Sequence, residues 1–224
     1  MFENKHLFSR IKKSLQDINK VSEKVHNLLL NKVNVLAKFL VKNSVNANLI
    51  SILGFIIGIS AVNFLALNMY GWALACILIN RVFDLLDGAV ARHSKITEFG
   101  IFLDAALDYV FYAGIIFGFA LANPLQNAVA ASFFLFAFTS SACAMLAYAV
   151  IAYKKQTEKQ IVFDKSPFYL GGFAQGAEVF LASVVLCILP FWFMEFAIVL
   201  GILCLVKAFS IMIAAYYNFV IAGK

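Results

Sequence analysis

The sequence predicts an all-α, polytopic membrane protein: six transmembrane helices preceded by an N-terminal amphipathic interfacial helix. Three observations predict it. Hydrophobic residues make up 63% of the 224 and charged residues 13%, against roughly 45–50% apolar in a soluble globular domain. The apolar residues gather into runs close to the ~20 that cross a bilayer, with short polar or turn-forming gaps between them. The net charge of +6 resides in the first 48 residues, which hold nine Lys/Arg against three Asp/Glu, while the remainder holds nine of each. No Pro/Gly/Ser linker, low-complexity segment or clear internal repeat divides the chain. Residues 46–224 therefore read as one domain, with 1–45 as a juxtamembrane segment.

Over residues 1–43, Phe8, Ile11, Leu15, Ile18, Val25, Leu29, Leu36 and Leu40 recur in steps of three, four or multiples of seven, a helical stripe. Lys12, Lys13, Lys20, Lys24, Lys32 and Lys38 lie mainly off that stripe. A basic amphipathic helix ahead of a span reads as interfacial, lying on the cytoplasmic leaflet. A coiled-coil arm is the competing reading, weakened because the heptad lapses at Ser22 and Lys32. The polar start leads us to expect no cleavable signal peptide. In NSVNANLIS (Asn43–Ser51), Asn48 is expected to cap the first span.

The spans are expected at 49–68, 72–92, 99–122, 127–153, 168–189 and 195–220. Asn68–Gly71 makes a turn, with Tyr70 and Trp72 as interface anchors. His93–Glu98 is a short loop, Asn123-Pro124 breaks the chain, and Lys154–Ser166 is a basic loop. Pro190 ends span five ahead of Phe191, Trp192 and Phe193 at the interface. Basic residues sit in the N-terminal arm, the 93–98 loop, the 154–166 loop and the C-terminus, and none sit in the other turns. The positive-inside rule then places both termini and the 93–98 loop in the cytoplasm.

The chemistry is carried by two of these spans. Asp84, Asp87, Gly88 and Ala91 fall at i, i+3, i+4 and i+7, one helix face. After a polar gap, Gly100, Asp104 and Asp108 fall at i, i+4 and i+8 on a second helix. Facing each other, the stripes would gather four carboxylates in a low-dielectric setting, where like charges repel strongly. Cations among them make the arrangement tolerable, and hard carboxylate oxygens suit Mg²⁺ or Mn²⁺, with room for two ions. Structural ion pairing with Arg81 and Arg92 is the bland alternative, but two arginines leave an excess of buried charge. Asp84 and Asp108 lie about 12–14 Å inside from the 93–98 loop at 1.5 Å per residue, so the site opens to the cytosol from the inner half of the bilayer.

The pattern Asp84-x2-Asp87-Gly88-x2-Ala91-Arg92, seven residues, Gly100-x3-Asp104-x3-Asp108 resembles the signature of the CDP-alcohol phosphatidyltransferase family. Thr97 and Leu103 also fit, and the resemblance is sharpest over residues 46–120. KSPFYLGGFAQGAE (Lys165–Glu178) is similar to a segment of a bacterial inner-membrane subgroup of that family. A Pro-Asn pair followed by Thr, frequent in the family, is matched only in part here by Ala47-Asn48 and Ser51. It gives Asn48 a second reading, as a polar group near a nucleotide.

The resemblance implies roles. Asp84, Asp87 and Asp104 would be metal ligands, and Asp108 would lie near the ions as general base. Gly88, Ala91 and Gly100 would let the nucleotide approach helix backbone. Arg92 would pair with the phosphates, and Thr97 would add a hydroxyl contact. The implied donor is a CDP-linked lipid, most simply CDP-diacylglycerol. The acceptor is a small alcohol such as glycerol 3-phosphate, serine or an inositol phosphate, and a homodimer in the cell (inner) membrane is implied with them.

Rivals from other classes are a divalent-cation transporter or binding protein, and a catalytically silent relative. The first leaves Gly88-x2-Ala91-Arg92 unexplained and has no acids in the outer half to make a path. The second has lost no signature position. Nucleic-acid binding is not expected, since no aromatic-basic interleaving accompanies the basic arm. Cys76, Cys143, Cys187 and Cys204 lie in apolar runs without ligand spacing and read as small buried hydrophobes. Arg81 reads as a partner for Asp84 or Glu178 or as a substrate contact, and Glu178 and Lys207 as a buried pair or an acceptor-pocket lining. Lys154, Lys155, Lys159 and Lys165 would border the pocket mouth or only satisfy the positive-inside rule. Gly171, Gly172 and Gly176 would permit close helix contact.

Overall fold

A computed structural model describes residues 32–156 and 177–221. All regular structure among them is helical. Residues 32–42 form α1. There follow α2 (Ala47–Ile59), α3 (Ala61–Ala66), α4 (Tyr70–His93), α5 (Glu98–Ala122), α6 (Pro124–Gln156), α7 (Ala177–Ile188) and α8 (Phe193–Tyr216). Short 3₁₀ and π turns follow α7 and α8, at Pro190–Trp192 and Tyr217–Ile221. The residues expected to carry the N-terminal stripe up to Leu29 and the segment from Lys159 to Gly176 lie outside the described residues.

The helix ends are made by local chemistry. Ser44 takes a φ of 58°. The Val45 amide donates to the Leu40 carbonyl at 3.0 Å and the Ser44 amide to the Val41 carbonyl at 2.9 Å, the paired bonds that end a helix on a left-handed residue. Asn68 does the same after α3, with a φ of 59° and bonds from Met69 to Phe64 and from Asn68 to Leu65. Asn46, not Asn48, caps α2: its Oδ1 accepts the Asn48 amide at 2.9 Å. Both residues have a capping side chain, and the left-handed turn at Ser44 puts Asn46 at the position that caps. Asn123-Pro124 does not delay α6 until 127, because Pro at the first helical position loses no needed donor and the helix starts at Pro124.

Among the described residues, four stretches are long and apolar enough to cross a membrane: Ala47–Ala66, Glu98–Ala122, Pro124–Ala152 and Pro190–Ile221. The chain is a polytopic membrane protein. Two of the six expected spans fall outside that count. The 24-residue α4 carries Arg81, Asp84, Asp87 and Arg92, and the span expected at 168–189 is described only from residue 177, with Glu178–Ile188 as its apolar part.

The chain divides into two compact units, one ending at Gly54 and resuming over Arg81–Asp104, the other formed by Phe55–Asn80 and the chain from Ala105 on. The first unit has a small core of Ala37, Ile50, Ala89 and Val90, with Val33, Leu40, Val41 and Phe83 against it. The buried side of α1 therefore runs through Val33, Ala37 and Val41 beside Leu40. Leu36, placed on the expected stripe, is 48% exposed. The second unit has a larger core rich in aromatics, in which the rings of Phe119 and Phe193 stack at 5.0 Å. At Gly118 a Cβ would come within 3.3 Å of the Val62 backbone, so the small residue permits that close approach. The Asn127 side-chain Nδ2 donates to the Phe119 carbonyl at 2.8 Å, satisfying a carbonyl of the last turn of α5.

Candidate functional site

A cleft of about 530 Å³ opens in the first unit, within the range of small-molecule sites. Three local structures build it. The Ser44–Asn46 turn and the start of α2 supply Asn48 and Ser51. The last three turns of α4 supply Asp87, Gly88, Ala91 and Arg92. The 94–97 loop and first turns of α5 supply Lys95, Thr97, Gly100 and Asp104.

Asp87 is buried, 6% exposed. Its carboxylate interacts with the Ser51 hydroxyl and the Gly88 amide, and lies within electrostatic reach of Asp84 and Asp104. Arg92 folds back one turn, its Nη1 3.2 Å from where a Cβ on Gly88 would stand. Among the described residues, its chain neighbours aside, no other side chain comes within 4 Å of that point, so the backbone at Gly88 stays open to the cleft. Thr97 caps α5, accepting the Gly100 amide at 3.0 Å. A Cβ on Gly100 would meet Thr97 Oγ1 at 3.0 Å and Asn48 Oδ1 at 3.1 Å. The glycine thus keeps these two polar tips together at the cleft wall.

Seven of the nine residues singled out in the sequence line this cleft: Asp87, Gly88, Ala91, Arg92, Thr97, Gly100 and Asp104. Asp84 and Asp108 do not. The Asp84 Oδ2 accepts from Arg81 Nη1 at 3.3 Å, an i,i+3 pair on α4. Asp108 follows Asp104 by one turn of α5, about 6 Å along the axis, and belongs to the other compact unit.

Sequence reasoning passed over Lys95 as a mere loop charge, yet it lines the cleft, as do Ser94 and Asn46. For Asn48 and Ser51 the signal was present, since a spacing of three puts them on one helix face. Lys154 is exposed. Lys207 is 3% exposed on α8 and lies within electrostatic reach of the half-buried Glu178.

The donor set suits a hard divalent cation. Asp87 and Asp104 reach one cleft, Asp87 is nearly desolvated, and its neighbours are oxygen donors of like charge. Among the described residues no three His, Cys, Asp or Glu side chains stand close enough to share one ion. Mg²⁺ is commonly held by one or two carboxylates completed by substrate phosphates, which this cleft could supply.

Three comparisons bear on the chemistry. A family model described as CDP-alcohol phosphatidyltransferase matches residues 44–214. Inner membrane protein YnjF of Escherichia coli (strain K12) is 44% identical over 161 residues, 72% of this chain and 78% of the relative. Archaetidylinositol phosphate synthase of Pyrococcus horikoshii is 34% identical over 92 residues, 41% of this chain and 49% of the relative.

Proposed function

Since the chain belongs to the CDP-alcohol phosphatidyltransferase family and is a transferase of substituted phosphate groups, we propose that it moves a phosphatidyl group from a CDP-linked lipid, most simply CDP-diacylglycerol, to a small alcohol, releasing CMP. The observation that carries this reading is the cleft that collects two carboxylates, two cationic side chains and three small residues. Family membership also displaces the cation-transporter alternative.

Each residue has a part. Arg92 and Lys95 attract the pyrophosphate, and the guanidinium suits two phosphate oxygens at once. Gly88, Ala91 and Gly100 let the nucleotide lie against helix backbone, flanked by Asn48 and the Thr97 hydroxyl. Asp84, Asp87 and Asp104 hold Mg²⁺ or Mn²⁺, two ions in the full site. Bound there, such an ion supplies charge neutralisation at the phosphate oxygens. Asp108 takes the proton of the acceptor hydroxyl. The alcohol oxygen bonds to the β-phosphorus as the bond to CMP breaks.

The reading extends to the whole chain. Residues 46–224 form the catalytic domain with six spans, α4 and α7 among them. Residues 1–45 form the juxtamembrane segment. The protein lies in the inner membrane as a homodimer with both termini in the cytoplasm. The acceptor is a small alcohol such as glycerol 3-phosphate, and the archaeal relative's name adds an inositol phosphate to those worth testing.

The test is CMP release by the reconstituted protein given CDP-diacylglycerol, Mg²⁺ or Mn²⁺ and a panel of acceptors. Release with one acceptor, absent in Asp108→Asn, would support the reading. A chain that binds no CDP-lipid under any of these conditions would sink it. Binding without release from any acceptor would mark a catalytically silent relative.

A further inference from the structure

Arg81 lies outside the signature, and its contact bears on how the site assembles. It sits one turn from Asp84 on α4, and its Nη1 donates to Asp84 Oδ2 at 3.3 Å. The side chains are 17% and 30% exposed, so the pair is only partly shielded. Asp87 and Asp104 line the cleft while Asp84 does not. The acids as they stand do not form a three-ligand group among the described residues. Asp84 is thus paired with a cation that the chain itself provides.

We propose that Arg81 is an internal counter-ion that withholds Asp84 from the cleft until a divalent cation takes its place. The inference rests on the reading of Asp84 as a metal ligand. The physics is competition. Three carboxylates in a half-desolvated site repel one another, and Arg81 offsets one of them when no ion is bound. A divalent cation offers twice the charge at a shorter distance, so it can take Asp84 from the guanidinium. Because both partners are on one helix, the exchange needs only rotation of side chains. Arg81 is thus a positioning residue that acts on the ion through Asp84, and it sets the ion concentration at which the site fills.

The test is Mn²⁺ binding to the purified full-length protein in detergent, read by the loss of the free-ion electron paramagnetic resonance signal without nucleotide. Arg81→Gln should bind Mn²⁺ roughly tenfold more tightly than wild type, since the competing charge is gone. Arg81→Lys, which keeps the charge, should stay near wild type. In an Asp84→Asn background the Arg81→Gln change should have no further effect on affinity. A merely structural arginine would not produce that pattern. Arg81→Gln should also melt at a lower temperature than wild type without metal and gain more on adding Mn²⁺, so a partly unstable variant remains informative. Unchanged or weaker binding in Arg81→Gln, with Asp84→Asn weakened, would overturn the counter-ion role and leave the metal reading standing. Unchanged binding in Asp84→Asn would overturn both.

Discussion

The two compact units differ in what they bury. The first closes on four fully buried apolar residues and encloses a polar cleft with a desolvated aspartate in it. The second closes on a large core with Phe111, Phe119, Phe134, Phe138 and Phe193. The same helix serves both purposes. The first half of α4 buries Ala73, Cys76 and Ile77, and its second half buries Asp87 beside Ala89 and Val90. The large apolar core lies in the second unit, and the cleft opens where the apolar core is thin. A buried carboxylate there costs free energy unless paired or metal-bound.

Five substitutions would break or sharpen that contrast. The largest effect is expected at Asp108→Asn, where loss of the general base should cut CMP release about 10²–10⁴-fold. Melting temperature and CDP-lipid binding should stay near wild type, and equal activity in the variant would remove Asp108 from the chemistry. Next, Phe119→Ala in the second unit should cost about 3 kcal/mol of stability through the cavity left beside Phe193 and Tyr70. Equilibrium unfolding in detergent would measure it, and the affinity of the remaining folded protein for CDP-lipid should not change.

Third, Gly100→Ala should weaken CDP-lipid binding roughly tenfold, because the new methyl forces Thr97 and Asn48 apart at overpacking distances. Calorimetric titration against wild type would show it, and undiminished affinity would take that wall out of the binding site. The smallest effects come from a matched pair. Asn46→Ala should lose about 1 kcal/mol of stability with the α2 cap. Asn48→Ala should leave the melting temperature alone and weaken nucleotide binding. The reverse pattern would restore Asn48 as the cap.

Much of the fold was legible. The 3.6-residue spacing of Asp84, Asp87, Gly88 and Ala91 needs only a helix to bring them to one face, and α4 provides it. The long apolar runs needed only a bilayer to become spans. In a membrane protein hydrophobicity does not distinguish a core position from a lipid-facing one, so the buried Ala37 was not legible beside Leu36, whose exposure suits a stripe facing lipid. Asn46 and Asn48 both have capping chemistry, and a left-handed turn at a serine decided between them.

What the sequence determined by itself is whatever follows from neighbours within one helix or from the solvent. That covers an all-helical membrane chain, the family signature, and the shared faces of the two acidic helices, since periodicity and hydropathy act locally. Tertiary structure alone decided which of the acids look into one cleft and that Lys95 joins them. Those outcomes depend on which helix faces pack together and on the balance of charges brought close in a low dielectric. That balance is set between side chains far apart in the chain, and no local spacing encodes it.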